Sequence, residues 1–239
     1  MKRTFLTFAF LFIVMALQAR TLVVYYSYTN NVHDIINKLT GQIDADVVRI
    51  EPAEKGLDYA ANNYAIGSAQ ISAIRNNPEV ASSYPAIDPV NVNLTDYDCI
   101  IIGAPLWWSS MAAPLQTYLF QNGAAMAGKK IGLIVSSASS GISGVEGDAK
   151  RLIPEGDFIT PSLWIRSSQT YDAASMIESW LKTIGYDAMS GVEDIESDQN
   201  IGKYTIFSIS GEMVAEDSFS IQNLEKGLYI VNGKKIYVK

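Results

Sequence analysis

From Thr21 onward, short uninterrupted apolar runs alternate with segments whose apolar residues recur at helical spacing. Leu22-Val-Val-Tyr-Tyr26 shows no polar alternation, the pattern of a strand buried on both faces. A polar stretch, Ser27 to Asn31, leads into Val32, Ile35, Ile36 and Leu39, one apolar helix stripe, with Gly41 at a C-cap position. Asp46-Val-Val-Arg-Ile50 reads as a second strand. The spacing predicts a helix near Leu57 to Ile74, after which Pro78, Pro85 and Pro89 break the pattern. Tyr97-Asp-Cys-Ile-Ile-Ile-Gly103 is a third buried strand, followed by a helix over Pro114 to Phe120. Ile131-Gly-Leu-Ile-Val135 is a fourth, followed by a short helix over Val145 to Leu152. A fifth strand lies around Phe158 to Ile165, and Met176, Ile177, Trp180, Leu181 and Ile184 share one face of the last helix.

Buried strands alternating with helices predict an α/β fold, a parallel sheet covered on both faces. Right-handed crossovers favour the doubly wound five-stranded order 2-1-3-4-5. Ligands of such sheets sit beyond the carboxyl ends of the strands, where strand order reverses; here the loops so placed follow Tyr26, Gly103 and Val135. This unit spans residues 20–186. A linker rich in Asp, Glu, Ser and Gly covers 187–200, and residues 201–239 read as a small antiparallel β unit. Its strand-like pieces are Tyr204 to Ile209, Ser218 to Ile221, Leu228 to Val231 and Lys235 to Val238, with Asn232-Gly233 as a hairpin signal. At about 40 residues it is near the size below which a domain is marginal alone.

The first nineteen residues follow a different logic. Lys2 and Arg3 precede an apolar run from Phe5 to Leu17, closed by Gln18 and Ala19. That is the layout of a secretory signal peptide over residues 1–19, and the run is shorter than the roughly 20 residues a membrane span needs. An uncleaved N-terminal anchor is the competing reading. Cleavage after Ala19 predicts an exported protein.

Composition narrows the function. With 48% hydrophobic and 10% aromatic residues the chain is not an acidic disordered tail. One cysteine, Cys99, and one histidine, His33, exclude a disulfide scaffold and a structural zinc site. The formal charge is −7. Without Lys2 and Arg3, 16 of the 18 basic residues remain against 25 acidic ones, giving −9. Nucleic acid and anionic membrane surfaces are poor partners for such a chain. Cys99 lies inside an apolar run and reads as a buried, inert thiol.

Chemistry concentrates in three loops. Ser27, Tyr28, Thr29, Asn30, Asn31 and Val32 lie between a buried strand and a helix, whose free N–H groups and dipole favour a phosphate. No Lys or Arg occurs from Thr21 to Asn37, so a phosphate here would be held by dipoles and hydroxyls; helix capping by Thr29 or Asn30 explains the loop equally. Pro105, Leu106, Trp107 and Trp108 follow the third strand, and adjacent tryptophans offer a platform for a planar heterocycle or hydrophobic packing under the loop. Ser137, Ala138, Ser139 and Ser140 are small enough to pass a ring edge and offer N–H groups to it, or form a plain turn. A serine hydrolase built on Ser137 or Ser139 is a poor reading, because no Gly-x-Ser-x-Gly turn is present and His33 is the single candidate base.

These loops carry a resemblance. The unit from Thr21 to Gly185 resembles the flavodoxin family, in particular its short branch that binds flavin mononucleotide (FMN). Ser27-Tyr-Thr-Asn-Asn-Val32 is similar to Ser-x-Thr-Gly-Asn-Thr. Tyr97-Asp98 through Gly103-Ala-Pro-Leu-Trp-Trp108 is similar to that branch's Tyr-Asp strand and Gly-x-Pro-x-Trp-Trp segment, and Gly128-Lys-Lys130 to its lead into strand four. Flavodoxin is itself one of the folds on which the switch-point rule rests, so the ligand's location is taken from the resemblance. The resemblance implies that Ser27, Thr29, Asn31 and neighbouring amides hold the FMN phosphate. It also implies that the loops at 105–108 and 137–140 flank the isoalloxazine ring. Asn30 stands where the family has glycine, Val32 where it has a last hydroxyl, and Ala138-Ser139 where it tends to have two glycines. The implied function is electron transfer to a redox partner or small acceptor such as a quinone, with no catalytic side chain. A surface binding module of the same fold that has lost its cofactor is the alternative. In the tail, Ile206-Phe-Ser-Ile-Ser-Gly-Glu-Met213, Leu224 to Val231 and Lys239 are similar to type IX secretion sorting domains. That resemblance implies recognition by outer-membrane secretion machinery; a purely structural appendage is the other reading.

Overall fold

A computed structural model describes residues 20–186, 204–218, 224–231 and 234–238. The expected leader at 1–19, the linker at 187–200 and the Asn232-Gly233 turn lie outside them. Strand β1 (Thr21–Tyr25), buried throughout, pairs in parallel with β2 (Asp46–Arg49) on one side and β3 (Cys99–Trp107) on the other. The distal end of β3 folds back on the two-residue β4 (Ser110–Met111), and β3 also pairs in parallel with β5 (Lys130–Ser137). Two short strands, β6 (Asp157–Phe158) and β7 (Leu163–Arg166), both continue the sheet from β5. The expected 2-1-3-4-5 order is therefore observed, with the fifth strand in two pieces. The break falls at Thr160-Pro161, where proline has no N–H to give the ladder.

Period-two alternation sends the central strands' side chains to opposite faces. Leu22, Val24, Ile100 and Ile102 pack on one face with the helices α2 (Ala61–Asn76), α3 (Ala113–Asn122) and α4 (Ser143–Leu152). Val23, Tyr25, Ile101 and Ile134 pack on the other with α1 (Asn31–Thr40) and α5 (Ala173–Thr183). The α1 stripe of Val32, Ile35, Ile36 and Leu39 is fully buried, as its spacing predicted. Cys99 is buried as well, and burial pushes its thiol up to about 11.

Two expectations need correction. The third strand does not end at Gly103 but runs on through Pro105, Leu106 and Trp107, because the β3–β4 hairpin gives them antiparallel partners, Leu106 to Met111 and Trp107 to Ser110. In the tail, the described strands β8 (Tyr204–Ser208), β9 (Met213–Ser218), β10 (Gly227–Val231) and β11 (Lys234–Val238) form an antiparallel sheet in the order β11-β10-β8-β9. Its second strand ends at Ser218, where the sequence reading had it begin. The tight turn after Ser208, with Gly211 in left-handed geometry and the Ser208 Oγ accepting from the Glu212 N–H, returns the chain sooner. Ile206, Val231 and Ile236 form this unit's small described core.

Two neighbouring glycines of α4 differ sharply in surroundings. A Cβ on Gly144 would lie 1.7 Å from the Ser109 carbonyl oxygen, whereas one on Gly147 meets nothing within 4 Å. Gly144→Ala should therefore cost about 1–3 kcal/mol through overpacking, and Gly147→Ala should add about 0.5–1 kcal/mol through helix propensity. Urea unfolding of both variants measures this, and equal effects would contradict the packing described.

Candidate functional site

The site's frame is strand register. Tyr25 lies opposite Gly103, Ala104 opposite Val135 and Pro105 opposite Ser136, and the Tyr26 N–H donates to the Gly103 carbonyl at 3.2 Å. Strands in a sheet are about 4.8 Å apart, so the loops after Tyr26 and Ser137 leave on either side of the continuing β3 at one edge.

In the first loop Asn30 takes a left-handed conformation, φ 63°, and its side chain makes no cap. The cap comes instead from Ser27, whose Oγ accepts from the His33 N–H at 3.2 Å. The N–H groups of Asn31 and Val32 belong to the first turn, which has no intrahelical acceptor. Thr29 and Asn31 face outward from the same turn, with the Asn31 amide donating to the Thr29 hydroxyl at 3.2 Å. The Val32 side chain is buried on the core side, so Val32 offers this site its N–H alone. Tyr28 closes the flank: its hydroxyl donates to Asp58 at 2.7 Å and accepts from the Ala60 N–H. The bond holds the Asp58 carboxyl below its usual range and raises the Tyr28 hydroxyl.

A cation does reach this loop, contrary to the sequence reading. Arg49 on β2 donates from Nη2 to the Ser27 carbonyl at 3.0 Å and pairs with Glu51 at 2.6 Å. It lies next to the loop in space and seventeen residues beyond Val32 in sequence, so a scan of the loop's own neighbourhood misses it. His33 is held at both ring nitrogens. Its Nδ1 is 2.7 Å from the Tyr25 hydroxyl, its Nε2 is 3.1 Å from the Asn37 amide, and its ring stacks on Tyr25.

The tryptophan pair divides its work. Trp107 is half-buried against Tyr26 and Tyr59, with ring centroids at 5.6 and 4.8 Å. Trp108, 43% exposed, sits edge-on to Trp107 and to Tyr64. Its backbone is left-handed, φ 46°, as is that of Ser109, a conformation that costs non-glycine residues of order 1–3 kcal/mol and needs outside support. Arg75 supplies it, donating to the Trp108 carbonyl and to the Ser110 hydroxyl. Asp148 accepts from the Met111 N–H at 2.9 Å. Leu106 packs against the core cluster and Pro105 lies in the strand, so of this segment Trp108 is the residue displayed. Tyr59, Tyr26 and Arg75 carry no motif; only the contacts reveal them.

In the third loop, Ser137 is buried and committed: its Oγ accepts from the Trp164 indole at 2.8 Å and donates to the Ser140 carbonyl at 2.8 Å. Ala138, Ser139 and Ser140 are exposed, and a Cβ on Gly141 would meet nothing within 4 Å. This loop therefore presents small residues and backbone to open space, with its one buried hydroxyl already used.

Solved structures share the fold of this unit. A protein of Bacteroides eggerthii assigned to the flavoproteins superposes with a TM-score of 0.56 at 25% identity, covering 70% of this chain and 98% of its own. A Lactobacillus acidophilus flavoprotein in complex with FMN gives 0.52 at 22% identity, covering 66% and 99%. A related structure from Bacteroides uniformis gives 0.52 at 23%, covering 67% and 98%. No curated protein matches the sequence. A family model described as flavodoxin matches residues 20–184, and with that match the chain belongs to the flavodoxin family.

Proposed function

We propose that the chain is an exported FMN-binding flavoprotein that transfers electrons to a redox partner or a small acceptor of the quinone class. One observation carries the reading: a helix N-terminus with the N–H groups of Asn31 and Val32 open, an aromatic hairpin tip and a small-residue loop leave the same edge of one parallel sheet. The donor set suits a phosphate ester. Thr29, Asn31 and the N–H groups of Asn31 and Val32 are neutral donors at a helix terminus, and Asn30 supplies by left-handed geometry the turn that glycine would give. Arg49 adds positive charge through the Ser27 carbonyl it braces. Trp108 and the exposed backbone of 138–140 would flank the ring. Bound flavin supplies the redox chemistry; the protein's part is to stack on the ring, exclude water and fix the ring edge by hydrogen bonds. The bound FMN of the L. acidophilus relative supports the cofactor.

Export rests on the charged, apolar and small-residue order of residues 1–19, and surface or outer-membrane handling rests on the tail's resemblance to sorting domains. Mass spectrometry of protein recovered outside the cytoplasm should find Arg20 as the first residue.

Purified protein should be yellow, or turn so with added FMN, and lose its visible absorbance with dithionite. Colourless protein that takes up no FMN would instead favour the binding-module reading. Trp108→Ala should weaken FMN by about 10-fold, the loss of one aromatic stack, with little change in folding. Trp107→Ala should cost about 2–4 kcal/mol of stability as well, because that indole is part of the wall.

Arg49→Gln separates charge from stacking. FMN should bind about 3- to 10-fold more weakly, in line with a charge-assisted contact, while riboflavin, which lacks the phosphate, should bind as before. Fluorescence titration of both flavins reads the difference, and an equal loss for both would contradict the phosphate's placement.

A further inference from the structure

Arg166 ends β7, and in the parallel register it lies opposite Ser137, the last residue of β5. Its backbone therefore leaves the sheet about 4.8 Å, one strand spacing, from the point where the loop at 138–140 begins. Side chains two residues apart on a strand share a face, and the Arg166 guanidinium lies over the Trp164 ring, 4.9 Å from its centroid. Trp164 is itself fixed. Its indole N–H donates to the Ser137 Oγ at 2.8 Å, and that hydroxyl donates to the Ser140 carbonyl at 2.8 Å. The buried hydroxyl of Ser137 thus ties the cation's aromatic seat to the loop.

The charge on this seat is uncompensated. Arg166 is exposed, and among the described residues no carboxylate lies within ion-pair distance of it. Arg49, by contrast, is paired with Glu51.

What the charge acts on follows from the chemistry of the flavin ring, so the inference rests on the cofactor reading above. The loop at 138–140 presents backbone and small side chains. Only the pyrimidine edge of an isoalloxazine carries the carbonyls and nitrogens that backbone groups can bond; the opposite edge carries methyl groups. The polar edge is also where charge changes. Uptake of two electrons and one proton leaves the ring anionic at N1 and the carbonyl beside it, whereas the oxidised ring is neutral. The phosphate carries the same charge in both forms. A cation beside the loop therefore distinguishes the two forms, and a cation at the phosphate does not.

We propose that Arg166 is a redox-tuning residue: seated on Trp164 beside the loop at 138–140, it favours the anionic reduced flavin over the neutral oxidised one. Its exposure to solvent screens the attraction and limits the preference to about 3- to 10-fold.

The test is calorimetric titration of the flavin-free full chain with oxidised FMN and, without oxygen, with FMN reduced by dithionite. Arg166→Gln should weaken the reduced form by about 3- to 10-fold and leave the oxidised form unchanged. Arg166→Lys, which keeps the charge, should retain most of the preference. Arg49→Gln should weaken both forms equally, because the phosphate does not change on reduction. Salt at about 1 M, where screening acts over about 3 Å, should erase most of the difference between the native chain and Arg166→Gln. The proposal is overturned if Arg166→Gln weakens both forms alike or neither, or if Arg166→Lys loses as much as Arg166→Gln. A native chain that takes up neither form overturns the cofactor reading itself, and this proposal with it.

Discussion

The close approach of α1 to the sheet at Gly103 underlies everything at the ligand edge. A Cβ there would lie 2.9 Å from both the Ile36 Cδ1 and the Tyr25 Cβ, and 3.1 Å from the Val32 Cγ1. Only the absence of a side chain lets the helix's first turn rest directly over β1 and β3. That contact fixes where the N-terminus of α1 ends, and hence where its N–H groups can meet an anion. Val32 is part of the same contact. Its replacement of a family hydroxyl therefore has a structural meaning: the side chain anchors the helix, while its N–H stays available.

The opposite side of the site is held by longer-range contacts. Trp108 and Ser109 occupy left-handed backbone conformations that the hairpin alone would not maintain. Arg75 from α2 grips the turn at Trp108 and Asp148 from α4 the returning strand at Met111, and the Ser109 carbonyl abuts Gly144 at the start of α4. The tip is thus clamped between two helices, and Trp108 is presented at the cost of local strain supported elsewhere. Trp107 faces the other way and seals the wall with Tyr26 and Tyr59. A pair of identical residues next to each other in sequence therefore does two jobs, one displayed and one structural.

How much of this was legible in the sequence depends on the range of the interaction. The parallel sheet, its order and the α1 stripe follow from local periodicity, because strands buried on both faces must be continuously apolar. The left-handed geometry at Asn30 was also readable, since Asn tolerates it where glycine is replaced. The extension of β3 to Trp107 was not: Pro105 and the adjacent tryptophans look like loop until the two-residue partner strand at Ser110 is known. Arg49, Arg75 and Tyr59 escaped for a related reason. Each reaches the site from another element, and a linear scan sees an ordinary strand charge, a helix charge and an isolated aromatic. The partner of the Ser137 hydroxyl was hidden for the same reason, since Trp164 lies twenty-seven residues later.

The electrostatics explain how an acidic chain can hold an anion. A formal charge of −7 opposes a phosphate at long range, but salt screens that repulsion over about 8–10 Å. Within that distance the first turn of α1 contributes about half a positive charge, and Arg49 sits one carbonyl away. Glu51 partly neutralises Arg49, which limits its pull and holds the guanidinium in the orientation that reaches Ser27. The helix terminus and Arg49 thus offset part of the chain's negative charge at the loop. An arrangement of this kind selects against anions that cannot enter the helix terminus and retains those that can, which is the discrimination a phosphate-anchored cofactor requires.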